Sequence, residues 1–138
     1  MEYILRGQCR APMKTHSYNQ DAVSIYELMS REECESCIAR AEHVGFESAP
    51  IHSSQGNVSD ARVRNNDRVM FDDPSFAELL WERMSGTVPP LIGKWRAHGL
   101  NERFRVYRYE KYQQFRKHSD GSFRRSETEE SRLTFMVY

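Results

Sequence analysis

The hydrophobic pattern of this chain changes its period near Asn101, and this change limits the folds that the chain can adopt. Before it, apolar residues recur at helical spacing behind two helix-start signals: Ser30 opens a capping-box pattern, and Asp73-Pro74 puts a proline at a first helical position. After it, residues 103–109 carry strand-forming side chains with a period near two. The sequence therefore predicts an α+β protein with helices early in the chain and strands late.

The same signals divide the chain into elements. Residues 1–22 show no periodicity, which predicts a loose N-terminal arm ahead of a single domain over 23–138. The apolar run 133–138 predicts a buried strand, and because a buried strand rarely ends a chain, we expect the sequence to be cut short. In all, we expect helices over 31–45, 74–86 and 89–95, and strands over 23–28, 46–51, 64–71, from 101 onward and over 133–138.

Composition narrows the class of protein. The length of 138 residues suits one domain, and 20 basic residues balance 20 acidic ones, so no excess of charge points to nucleic acid or to an anionic membrane. Three cysteines, an odd number, are not typical of a disulfide framework, and no apolar run reaches transmembrane length. We therefore expect a soluble, intracellular and cytoplasmic protein with no nucleic-acid or membrane partner.

Two polar patterns have an ordinary structural explanation as well as a functional one. The pair Cys34 and Cys37 has CxxC spacing, but zinc needs four ligands and the only other cysteine is Cys9, so packing in a helix is favoured. The stretch from Arg64 to Arg68 is favoured as a turn or a water-facing edge strand, although either arginine could hold a carboxylate or a substrate backbone. Four histidines stand alone and are expected at the surface, namely His16, His43, His52 and His98.

The tripeptide His118-Ser119-Asp120 is the main candidate for chemistry. In an extended chain, residues two apart project to the same side, so the imidazole and the carboxylate could address one metal ion. Two histidines and one carboxylate on one face hold Fe(II) and leave positions open for substrates. Because Asp120-Gly121 is also a common turn signal, the tripeptide alone favours a turn.

The surroundings of this tripeptide change that balance. The stretches 105–109, 115–120 and 132–138 together resemble the iron(II)- and 2-oxoglutarate-dependent dioxygenases of the prolyl 4-hydroxylase type. In that family a strand ends in Tyr, the His of an H-x-D pair lies nine positions later, and a later strand has Thr four positions before Tyr. The pairs Tyr109 to His118 and Thr134 to Tyr138 match both spacings. Upstream stretches extend the resemblance to about residues 23–138, namely 28–34, 45–47, 64–68 and 71–74.

The resemblance implies a fold and a set of roles. The fold is a double-stranded β-helix, or jelly roll, supported by N-terminal helices, with the C-terminal part of the barrel missing from this chain. His118 and Asp120 correspond to two iron ligands, Tyr109 to the phenol that binds the far carboxylate of 2-oxoglutarate, and Thr134 to a second residue of that pocket. The family's second His, and the basic residue that pairs with the 2-oxoglutarate carboxylate, would follow Tyr138.

The sequence departs from the family around the H-x-D pair. Many relatives have Gly three residues after the Tyr and Pro before the His, where this chain has Tyr112 and Lys117. The loop between Tyr109 and His118 could therefore follow another path while the metal pair is kept.

The resemblance implies hydroxylation of an unactivated C–H bond. Fe(II) is the implied cofactor, 2-oxoglutarate and O2 are the implied co-substrates, and succinate and CO2 are released. Peptidyl proline is the first candidate substrate, other peptides and small molecules stay open, and ascorbate is the expected reductant. Arg64 and Arg68 are candidate substrate contacts. The alternative function is a catalytically incomplete jelly-roll binding module. A nucleic-acid demethylase ranks below it, because a net charge of zero offers no surface for phosphates. A metal-free domain with a polar turn at residues 118–121 would leave the Tyr–His and Thr–Tyr spacings to coincidence.

Overall fold

Two α-helices and nine short strands form the regular structure of residues 13–19, 22–49, 51–53, 56–58 and 62–138, the part of the chain that the computed structural model describes. This mixture confirms the predicted α+β class. In chain order the elements are β1 (Thr15–Ser17), β2 (Val23–Ile25), α1 (Arg31–Val44), β3 (Glu47–Ser48), β4 (Ile51–Ser53), β5 (Gly56–Val58), β6 (Asp67–Asp72), α2 (Pro74–Met84), a 3-10 turn (Ser85–Thr87), β7 (Leu91–Ile92), β8 (Trp95–Arg96) and β9 (Arg103–Arg108).

A three-stranded antiparallel sheet is the centre of the fold. Strand β6 lies between β3 and β9, and its six residues pair one to one with those of β9. The other strands form antiparallel pairs, β1 with β2, β4 with β5 and β7 with β8. None of the helices in the described residues is long and apolar enough to cross a membrane.

The two faces of this sheet differ, because residues that pair across antiparallel strands point to the same side. On one face Val69 is buried, and the ring of Phe104 lies 5.2 Å from that of Phe76 in α2. On the other face the register puts Arg68 opposite Tyr107 and Met70 opposite Arg105. We call this second side, with its partly exposed arginines, the open face of the sheet.

The small core joins α2 to the end of the chain. Leu80 of α2 is 0% exposed and packs with the buried side chains of Leu28 and Met84. Partly buried residues surround these three, and Phe135 is one of them. The segment that carries Thr134 is therefore anchored to the core through its neighbour.

The predicted start of α1 is confirmed in detail. The Ser30 hydroxyl accepts a hydrogen bond from the Glu33 N–H at 3.2 Å, and the Glu33 carboxylate accepts one from the Ser30 N–H at 2.8 Å. The helix ends at Gly45, whose φ of +94° is one that other residues rarely adopt. Arg83 of α2 also donates to both Glu33 oxygens, at 2.6 and 2.8 Å, so Glu33 of the capping box also connects α1 to α2.

The cap of α2 makes a testable prediction. Asp73 accepts a hydrogen bond from the Phe76 N–H at 2.9 Å and forms an ion pair with Arg40, and these contacts lower the pKa of its carboxyl group. Asp73→Ala is expected to lower the free energy of unfolding by about 1 kcal/mol at neutral pH. Because the folded-state pKa is lowered, the stabilisation is present above the ordinary Asp pKa and is lost as the pH falls through the folded-state value.

Urea unfolding of both proteins at neutral and at acid pH checks this prediction. The gap between wild type and Asp73→Ala should close on acidification. A gap of constant size would show that the ionised carboxylate does not act as the cap.

Some predicted elements were wrong. The stretch 89–95 forms no helix: Leu91–Ile92 and Trp95–Arg96 pair as a hairpin, and Gly93 with φ +60° supplies the left-handed turn between them. The run 133–138 is not a buried strand, since Leu133 and Met136 are more than half exposed and only Phe135 packs on the core. Pro89-Pro90 predicted a helix start, but the left-handed turn at Gly93 reverses the chain and gives a hairpin.

Other boundaries differ from those predicted. Residues 15–17 pair with β2, so the loose arm is wrong there, while residues 1–12, 20 and 21 lie outside the described part of the chain. In α1, Ile38 is 60% exposed and only Ala41 is buried, so the predicted apolar face is narrower than expected. Strand β2 ends at Ile25, β3 spans Glu47–Ser48, β6 begins at Asp67, and α2 ends at Met84.

Candidate functional site

The segment that leads to the H-x-D pair is held against the chain just before β6. The Arg116 N–H donates to the Val63 carbonyl at 2.9 Å, and the Asn65 N–H donates to the Gln114 carbonyl at 3.2 Å. These bonds fix the backbone two residues before His118. The position of the imidazole is thus set by a contact between distant parts of the sequence.

A stack of side chains supports the imidazole ring. The Phe115 ring lies 3.8 Å from that of His118, with an interplanar angle of 22°. The Arg64 guanidinium lies 4.1 Å from the centroid of the Phe115 ring and 4.8 Å from the centroid of the Tyr107 ring. Cation–π contacts of this kind are favourable, and they hold the Phe115 ring on which the imidazole of His118 stacks.

The hydrogen bonds of His118 determine which ring nitrogen is free. Nδ1 lies 2.8 Å from the Arg116 carbonyl oxygen, which can only accept, so Nδ1 must carry a hydrogen. In a neutral imidazole, Nε2 then has a lone pair, and it lies 3.1 Å from Oδ1 of Asp120, which has no hydrogen when ionised. With the imidazole neutral and the carboxylate ionised, two acceptors would face each other, and either a proton on Nε2 or a metal ion between the two atoms removes their repulsion.

The geometry of this pair fits a metal ion. Bonds of about 2.1 Å that meet at a right angle place two ligand atoms about 3 Å apart, which is close to the observed Nε2–Oδ1 separation of 3.1 Å. Histidines that bind metals commonly donate their other N–H to a carbonyl or a carboxylate, as His118 does. Fe(II) accepts this set of nitrogen and oxygen donors.

Thr134 completes the setting of the carboxylate. Its hydroxyl donates to Asp120 Oδ2 at 2.7 Å, which leaves Oδ1 turned towards His118. Asp120 and Thr134 also line a cleft of about 200 Å³ beside the pair. The other residues of this cleft are Gly121, Ser122, Ser131, Arg132 and Leu133.

The remaining predicted site residues lie apart from this pair. Tyr109 follows the end of β9 with 49% of its surface exposed, and no hydrogen bond joins its hydroxyl to another described residue. Arg64 is 6% exposed, so the predicted water-facing position is wrong for it; the reason is its stacking between two aromatic rings. Arg68 lies on the open face of the sheet.

No third His, Cys, Asp or Glu joins His118 and Asp120 within the ranges that the structure describes.

Cys34 and Cys37 are half-buried free thiols, and burial is the main cause that raises the pKa of Cys37. Three of the isolated histidines are exposed as expected, namely His16, His43 and His98.

Two contributors were missed by the sequence reasoning. The carbonyl of Arg116 fixes the tautomer of His118, and no sequence signal marks a backbone acceptor. Phe115 supports the ring of His118, and the sequence signal for this support is an aromatic residue three positions before the histidine.

Searches against protein-family models, curated proteins and solved structures found no match to this chain.

Proposed function

We propose that this chain carries part of the active site of an iron(II)- and 2-oxoglutarate-dependent dioxygenase that hydroxylates an unactivated C–H bond. The observation that supports the proposal most directly is the approach of His118 Nε2 and Asp120 Oδ1 to 3.1 Å, with Nδ1 already bonded to the Arg116 carbonyl. In this proposal a metal ion takes the place between them, and the two residues supply two of its ligands.

The neighbouring residues have defined parts in this proposal. Arg116 keeps the hydrogen on Nδ1, Phe115 keeps the ring in place, and Thr134 keeps Oδ2 occupied so that Oδ1 faces the metal. When bound, Fe(II) supplies the oxidative chemistry, with 2-oxoglutarate as co-substrate and ascorbate as reductant. The exposed Tyr109 is the proposed partner of the far carboxylate of 2-oxoglutarate, and peptidyl proline is the first substrate to test.

The proposed architecture is a jelly roll. The three-stranded antiparallel sheet, with helices packed on one face and the other face open, is compatible with one wall of such a barrel. The H-x-D pair follows the end of β9, and the Thr134 segment returns to meet it.

A metal-free binding module is the second candidate. A proton on Nε2 would also resolve the contact between the two acceptors, giving an ion pair between His118 and Asp120. Their side chains are 41% and 52% exposed, so water can solvate such a pair. In that case the stretch is a polar turn with no metal.

An anaerobic titration distinguishes the two candidates. Fe(II) and then 2-oxoglutarate are added to the folded protein, and the visible charge-transfer band of an iron chelate of the 2-oxo acid is followed by absorption. Succinate, which lacks the 2-oxo group, is the matched control and should give no band. We expect a saturable band with 2-oxoglutarate only; its absence from a protein whose circular dichroism shows a folded chain would contradict the proposal.

A further inference from the structure

Three arginines surround Tyr107 on the open face of the sheet. Arg68 pairs with Tyr107 across the two strands, and Arg105 lies two residues before Tyr107 on β9, so both point to the same side. The guanidinium of Arg64 lies 4.8 Å from the centroid of the Tyr107 ring. We call these three residues, Arg64, Arg68 and Arg105, the arginine cluster.

Neighbouring arginines are neutralised by acidic side chains, whereas the cluster is not. Arg103 binds Asp72 at 2.8 Å, and Arg108 binds Asp67 at 3.2 Å. Within the described ranges, no carboxylate forms an ion pair with Arg64, Arg68 or Arg105, which sets the cluster apart from the rest of the same sheet.

Arg64 is the most demanding member of the cluster. Its side chain is almost fully buried, Nε donates to Asn66 Oδ1 at 2.9 Å, and Nη2 has no acceptor among the described residues. A buried cation without a countercharge is costly, and a nearby anion offsets that cost. The cluster therefore attracts negative charge.

The other charges on this face leave the excess in place. Burial, together with Arg64 and Arg105, lowers the pKa of Arg68, while Tyr107 and Glu47 act in the opposite direction. Glu47 is exposed and lies opposite Arg68 on β3, and it is the one acid of the described sheet that faces the cluster without an ion pair of its own. One carboxylate against three guanidinium groups leaves a positive surface.

The form of the surface indicates the kind of anion. Small ligands need a concave site that encloses them. Arg105 lines a cleft of about 80 Å³ that also holds two carboxylates, Asp72 and Glu102, and neither Arg64 nor Arg68 lines this cleft or the one beside Asp120. Nucleic acid is disfavoured because 20 basic residues are balanced by 20 acidic ones over the chain. A short run of carboxylates along an extended chain matches the spacing of arginines on adjacent strands.

We propose that the open face of the sheet binds an acidic segment of a peptide or protein, whose carboxylates accept hydrogen bonds from Arg68 and Arg105 beside the fixed charge of Arg64. As an assignment of substrate this rests on the proposed function, since the stack from Arg64 through Phe115 reaches His118. The docking itself needs no metal, so it is tested without one.

The test is a fluorescence anisotropy titration in the presence of EDTA. The probe is a short labelled peptide in which glutamate alternates with glycine, and the same peptide with glutamine is its control. We expect the glutamate peptide to bind with an affinity that falls as salt rises. Arg68→Gln and Arg105→Gln should each weaken it about fivefold, whereas Arg31→Gln, which removes an exposed charge from α1, should leave it unchanged.

Several results would overturn the proposal. Equal binding of the glutamate and glutamine peptides would show that carboxylates are not recognised, and equal effects of the three variants would show that only net charge matters. Tighter binding of an oligouridine through the same arginines would assign the face to nucleic acid, and displacement of the peptide by free 2-oxoglutarate at constant ionic strength would assign it to a small dicarboxylate. Because no iron is present, none of these results depends on the metal site.

Discussion

Asp120→Ala is expected to lower the affinity of the protein for Fe(II) by at least about 100-fold, because in the proposed site it removes one of the two protein ligands and not a supporting contact. The same substitution leaves the Thr134 hydroxyl without its acceptor. His118→Ala should have an effect of similar size, since the remaining carboxylate alone would hold the ion. Equilibrium dialysis of Fe(II) under anaerobic conditions measures all three proteins directly.

Two further variants separate a specific site from a general loss of charge. Glu127→Ala removes an exposed carboxylate from the same part of the chain and should bind Fe(II) like the wild type. Thr134→Val removes only the hydrogen bond that orients Asp120, and it should weaken binding about tenfold. Unchanged affinity in Asp120→Ala would favour the metal-free module, in which His118 and Asp120 form a solvated ion pair.

The features that the sequence predicts well are those that depend on neighbouring residues. The capping box at Ser30 and the cap at Asp73 are contacts over three residues, so the residue types alone define them. The approach of His118 to Asp120 is also local, because residues two apart in an extended segment share a side. The shift to strand spacing after Asn101 placed β9 correctly for the same reason.

The features that were missed depend on residues far apart in the sequence. Arg64 was expected to face water, and it is buried only because Tyr107 and Phe115 come from distant positions to stack on it. The contact of Thr134 with Asp120 spans fourteen residues and needs the intervening loop to return. Neither periodicity nor residue type contains that information.

The expected strand at 133–138 shows the same limit in another form. An apolar segment can become a strand only if another strand offers it hydrogen bonds, and none does so within the described residues. Its apolar character is used in a different way, with the Phe135 side chain packed against the core cluster that Leu28, Leu80 and Met84 form. Through that contact the core holds the segment that carries Thr134, the partner of Asp120.

Leu80→Ala is expected to lower the free energy of unfolding by about 3 kcal/mol, the largest effect on stability that we predict. Leu80 is 0% exposed and packs with Leu28 and Met84, so its truncation removes buried methyl groups and leaves a cavity in this small core. Small domains have total stabilities of about 5–15 kcal/mol, and the variant would lose a large share of that.

Leu79→Ala is the matched control, because it makes the same substitution one position away on the same helix. Leu79 is 36% exposed, and its truncation should cost less than about 1 kcal/mol. Urea unfolding measures both proteins, and equal losses would place the core elsewhere. Because Phe135 packs on this cluster beside Thr134, Leu80→Ala should also weaken Fe(II) binding at urea concentrations that leave the wild-type site intact, whereas Leu79→Ala should not.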